Sequence, residues 1–115
     1  HGQAVLGDFF SRGRFTDRSI LCVNDRVAIG ALRAAARHGL VPGGGGKGGL
    51  RIAGHDDYPL CPYTTPALTT VAQNVEAIGK AAISRLLAKM HGESAAEEDP
   101  VVQIFDGALK LRESA

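Results

Sequence analysis

Apolar runs in this chain stop at polar side chains, and that pattern restricts the fold more than any other feature of the sequence. Leu50–Ala53 leads into Gly54-His55-Asp56-Asp57, and Leu68–Ala72 leads into Gln73. A further run, Ser19–Val23, leads into Asn24-Asp25. Short apolar runs bounded by polar residues read as buried strands. In an open parallel α/β sheet, ligands bind beyond the carboxyl ends of the strands. Strands that end in a carboxylate, a carboxamide and an Asn-Asp pair therefore have the layout of a small-molecule pocket.

Helices fit between these strands. Asn24 suits an N-cap, with Asp25 placing negative charge in the first turn. The helix runs to about His38, with Val27, Ala28, Ala31, Leu32, Ala35 and Ala36 as its apolar positions and Gly39 as the left-handed residue that ends it. Asn74 caps a second helix over Val75–Met90, whose Val75, Ile78, Ala82, Ile83, Leu86 and Leu87 recur at helical spacing. Glu76 and Lys80 form a favourable i,i+4 pair on it, and His91-Gly92 ends it. Gln3–Gly7 reads as a short strand ending at Asp8-Phe9, and Val101–Phe105 with Ala108–Arg112 as two terminal strands or one bent strand. The alternation predicts an α/β domain with an open, mostly parallel sheet flanked by helices.

Composition narrows the function classes. Thirteen basic and 12 acidic residues leave a net charge of +1, which carries no electrostatic footprint for nucleic acid. The local cluster Arg12, Arg14 and Arg18 is short and reads as a solvated loop. Cys22 and Cys61 lack the spacing of a disulfide framework or a zinc site. No signal peptide or membrane-length apolar run is seen, so a cytoplasmic location without membrane contact is expected. The stretch Pro42–Gly49 holds six glycines and one lysine, but it lacks the phosphate-loop signature and precedes a strand, so it reads as a surface loop. His55-Asp56-Asp57 has no second ligand cluster to complete a metal site. There is no nucleophile elbow and no Cys–His pairing, so no catalytic residue, metal or cofactor is assigned and the chain reads as a non-enzyme.

The runs Cys22–Leu32, Gly39-Leu40-Val41-Pro42, Gly54-His55-Asp56-Asp57, Pro66–Gln73 and Ile78–Ala82, in that order and nearly at these spacings, resemble the effector-binding domain of lactose-repressor-type (LacI/GalR family) transcriptional regulators. The resemblance covers most of residues 4–112 and implies a partial periplasmic-binding-protein-like lobe spanning residues 1–115. It also implies that residues 74–92 form a helix that packs in the family's other lobe. Nothing here resembles the family's helix-turn-helix, so operator DNA is expected as a partner only through that separate N-terminal module. The effector implied is a small molecule, a sugar, and a homodimer is implied as well.

By resemblance, Asp56, Gln73, Asn24 and Phe9 match effector-binding positions, and Ile29, Leu60, Tyr63 and Thr64 fall at or near the subunit interface. The residue chemistry is compatible. A carboxylate such as Asp56 accepts from vicinal hydroxyls, and carboxamides such as Gln73 and Asn24 both donate and accept. An aromatic face such as that of Phe9 suits the C–H side of a sugar ring. A plainer reading stays open for each: Asp56 as a turn residue, Asn24 as a helix cap. Ile29 and Arg33 lie off the main apolar stripe of their helix, which leaves them available for contact.

Only nine residues separate Phe9 from Ser19, whereas a crossover between parallel strands needs about a dozen. Either the crossover helix is missing or the first strand does not pair as the family's does. Two other functions remain open: a sugar-binding protein of the periplasmic transport type, and a truncated dimerisation module.

Overall fold

The computed structural model describes residues 2–12, 19–43, 49–92 and 102–115. The elements in chain order are α1 (Gly2–Ser11), β1 (Ser19–Leu21), α2 (Asp25–Arg37), β2 (Arg51–Ala53), a 3-10 turn (Cys61–Tyr63), β3 (Thr70–Ala72), α3 (Val75–Met90) and β4 (Ala108–Lys110). They divide into two units, His1–Ala72 with Leu109–Ala115, and Gln73–Ala108.

In the first unit β1 and β2 pair in parallel, with Ser19, Ile20 and Leu21 opposite Arg51, Ile52 and Ala53. The ladder continues past the strand ends, since Cys22 N–H donates to Ala53 O at 2.8 Å. On the other side of β2, Ala53 bridges Thr69 in parallel, Gly54 N–H donates to Thr69 O at 2.9 Å and Asp56 N–H to Val71 O at 2.9 Å. β4 pairs with β3. The parallel α/β architecture expected from strand–helix alternation is present.

α2 packs between α1 and β2. Its alanines 28, 31 and 35 are fully buried and, having no bulk, let the helix lie close to Ile52 and Leu68, which are also fully buried. Burying side chains of that size contributes about 1.5–3 kcal/mol each. Asn24 caps α2 by accepting from Val27 N–H at 3.0 Å, and Gly39, at φ 69°, ends it as expected.

The strand expected over Gln3–Gly7 is a helix. Short apolar runs fit either period, and here Leu6 and Phe10, one helical turn apart, both face the core. Glycines let the two helices approach. A Cβ on Gly30 would meet Gln3 N at 2.8 Å, and one on Gly2 would meet Val27 O at 2.7 Å. α1 is therefore the helix that leads into β1, and the shortage of residues between Phe9 and Ser19 disappears. The expected strand at Val101–Phe105 is also absent: residues 102–107 have no regular structure, and Val101 lies outside the described residues. Arg14, Arg18 and most of the glycine run, residues 44–48, lie outside them too.

The segment after β4 hydrogen-bonds to β2 and to the residues before β3. Ser114 is fully buried; its N–H donates to Ala67 O at 3.0 Å and its O accepts from Ile52 N–H at 2.8 Å.

In the second unit α3 runs over Val75–Met90 as expected, with Asn74 Oδ1 accepting from Ala77 N–H at 3.1 Å and Lys80 Nζ 2.6 Å from Glu76 Oε1. No residue of α3 is buried, and Val75, Ile83, Leu86 and Met90 are well exposed.

Candidate effector site in the first unit

Asn24 follows β1, and Asp56 follows β2. Because β1 and β2 are parallel and in register, both residues emerge at the same edge of the sheet. A bond from Asp25 N–H to His55 O, 3.0 Å, joins the two loops directly. The Asn24 side-chain oxygen is occupied by the cap of α2, which leaves its –NH2 group as the donor it presents.

Neighbouring carboxylates are spent inside the protein. Asp25 is buried: its Oδ1 accepts from Thr70 Oγ1 at 2.6 Å and its Oδ2 from Tyr58 N–H at 2.7 Å. It also receives the Cys61 thiol, whose pKa is pushed up to about 12 by burial first, then by that hydrogen bond and the Asp25 charge. Burial alone raises the Cys22 thiol. Gly54 sits against Asp25, where any Cβ would collide with Oδ1. Asp57 pairs with Arg112 at 2.7 Å, and Arg112 Nη1 also donates to Leu68 O at 2.8 Å.

Asp56 is more exposed than either. Its side chain is half exposed, with His55 Nδ1 at 3.2 Å from Oδ1. The turn that carries it is unusual, because Asp56 and Asp57 take φ of 115° and 53°. L-residues in such sparsely populated regions cost about 1–3 kcal/mol each and persist where surrounding contacts over-determine them. The contacts here are the bonds to His55 O, Val71 O and Tyr58 N–H and the Arg112 pair.

The other expected residues divide. Gln73 follows β3 directly and is the first residue of the second unit. Phe9 stands on α1, so the strand expected to precede it is corrected. It lies edge-on to Phe10 and lines a hollow of about 510 Å3 with Val5, Leu6 and Ser19–Leu21. A second hollow of about 490 Å3, between α1 and α2, is lined by Gln3, Ala4, Gly7, Asp8, Ala34, Arg37 and His38 and likewise includes neither Asn24 nor Asp56. Among the interface residues, Leu60 and Tyr63 are exposed, Tyr63 at 82%. Thr64 Oγ1 is used within the loop, donating to Pro66 O at 2.8 Å. Ile29 is half-buried against the core, so it is less available than its place on the helical wheel indicates.

Sequence reasoning missed the Asp25 node, Arg112 and Ser114. The nearest signal was Asp25 itself, which follows Asn24 and reads only as a first-turn charge. Among the described residues, no group of three or more His, Cys, Asp or Glu side chains is placed to hold a metal ion. No described helix is long and apolar enough to cross a membrane.

Comparison with known proteins identifies the family. The profile of the periplasmic binding protein-like domain matches residues 11–115. The transcriptional regulator MalR of Streptomyces coelicolor is 39% identical over 95 residues, which are 82% of this chain and 25% of that protein. The chain thus spans about a quarter of the length of this curated relative. The crystal structure of the Lac repressor dimer bound to operator and the anti-inducer ONPF superposes with a TM-score of 0.80, at 26% identity over 98% of this chain and 36% of that one. A LacI-family regulator from Arthrobacter sp. FB24 in complex with lactose gives 0.79, at 26% identity, covering 98% and 40%. The chain belongs to the periplasmic binding protein-like domain family, as part of the effector-binding domain of lactose-repressor-type regulators.

Proposed function

We propose that this chain is the effector-binding and dimerisation part of a cytoplasmic, lactose-repressor-type transcriptional regulator whose effector is a sugar. The observation that carries the reading is the placement of Asp56 and Asn24 past the ends of two parallel, in-register strands, with the Asp56 side chain half exposed on a turn of positive φ. An ionised carboxylate offers several acceptor sites to hydroxyl groups, and the Asn24 –NH2 group supplies a donor.

The Arthrobacter relative's complex with lactose favours a sugar, and the Lac repressor dimer's complex with operator and anti-inducer favours regulation of DNA binding. Effector binding would then bias the equilibrium between two states of the intact protein, a coupling between separate sites. The activity is binding, without catalysis. α3, with no buried residue, is the segment we assign to packing against the family's other lobe. Dimerisation is assigned to the exposed Leu60 and Tyr63.

Calorimetric titration of lactose and sucrose tests the reading, using this chain fused to the remaining lobe of a relative. Saturable heats with at least one sugar are expected. Heats no larger than dilution for these and a wider panel of mono- and disaccharides would overturn it.

A further inference from the structure

We infer that Arg26 and Tyr58 form a positioning pair that holds the Asp56 turn against the start of α2. The inference rests on reading Asp56 as the ligand's acceptor and adds the residues that keep it in place.

Arg26 lies in the first turn of α2, where the helix dipole opposes a positive charge. Its guanidinium carbon sits 5.6 Å from the centroid of the Tyr58 ring. That is within cation–π range, and the ring's negative face supplies the attraction that the helix end does not. Tyr58 is the first residue past the strained Asp56–Asp57 pair, and its N–H is already tied to Asp25 Oδ2 at 2.7 Å. The backbone bond and the ring contact fasten the same residue to consecutive positions of one helix, Asp25 and Arg26. Upstream of the turn, Asp25 N–H holds His55 O at 3.0 Å. The strained pair is thus gripped at both ends by the first turn of α2. Asn24, which caps that turn, is fixed relative to Asp56 by the same contacts.

Amide hydrogen exchange in this chain tests the pair without any ligand. Arg26→Gln and Tyr58→Leu should each speed exchange at the Asp56 and Tyr58 amides by about two- to fivefold, the range of an exposed cation–π contact. The core amide of Ile52 should keep its wild-type rate. Tyr58→Phe, which retains the ring, should behave as wild type, and the double variant should be no faster than either single one. Unchanged exchange at Asp56 and Tyr58, additive effects, equal acceleration at Ile52, or a Tyr58→Phe variant as fast as Tyr58→Leu would each overturn the inference. Failure of the sugar titration bears on the proposed function alone and leaves this outcome readable.

Discussion

The Ser114 hydroxyl donates to the Ile52 carbonyl at 2.6 Å while accepting from Thr69 N–H at 2.8 Å, so one buried side chain joins β2 to the segment entering β3. The bond from Ile52 N–H to Ser114 O, 2.8 Å, closes the same link through the backbone.

Ser114→Ala is expected to destabilise the first unit by about 1–3 kcal/mol, because it leaves the Thr69 N–H buried without its acceptor. Urea denaturation followed by circular dichroism measures it. A change under about 0.5 kcal/mol, the scatter of surface substitutions, would contradict the assigned role.

Asp25→Ala should cost more, at least about 2 kcal/mol, since Thr70, Tyr58 and Cys61 lose a charged acceptor at once. Asp25→Asn keeps one acceptor oxygen and is expected to fall between Asp25→Ala and wild type. The ordering of the three midpoints is the check, and an Asn variant as weak as the Ala variant would count against a hydrogen-bonding node.

The Cys61 thiol gives a pH prediction. Its pKa rises from 9.0 to about 12 in the folded protein, through burial first and the Asp25 carboxylate second. The folded state therefore favours the protonated thiol relative to the unfolded chain. The contribution to stability is fully present below pH 9.0 and is lost as pH rises from there through about 12. Stability of wild type relative to Cys61→Ala, followed by denaturation from pH 8 to 11, should decline over that window; a flat difference would contradict the shift.

Self-association is expected through Leu60 and Tyr63, whose exposure leaves apolar area on one short turn. Tyr63→Asp should shift the sedimentation of the fused two-lobe protein from dimer to monomer. A wild type that sediments as monomer at micromolar concentration, or a dimer indifferent to the substitution, would remove these residues from the interface.

Much of this organisation was legible in the sequence for physical reasons that can be named. Asn24, Gly39 and Asn74 are local signals, and the bounds of α2 and α3 followed from capping chemistry that needs no tertiary information. Asp56 and Asn24 were legible as strand-end residues because each follows a short apolar run rich in β-branched or aliphatic residues and bounded by polar ones. The first helix was not. Its Gly2 is there for contact with α2, and it has neither an acidic first turn nor a basic last turn to mark its ends. Phe9 accordingly stands on a helix and not past a strand end. Contacts of long sequence separation were equally invisible: Asp57 with Arg112, Thr70 with Asp25 and Ile52 with Ser114 join residues more than forty positions apart.

The most direct test of the account is the sugar affinity of Asp56→Asn in the fused two-lobe protein, measured by calorimetry with whichever of lactose or sucrose the wild type binds. Asn tolerates positive φ better than most residues, so the turn is kept while the charge is removed. Hydrogen bonds to charged groups contribute about 1.5–3 kcal/mol, so affinity is predicted to fall more than tenfold with the unfolding midpoint unchanged. A folded variant that binds the sugar as tightly as wild type would contradict the assignment of Asp56 as the effector's acceptor.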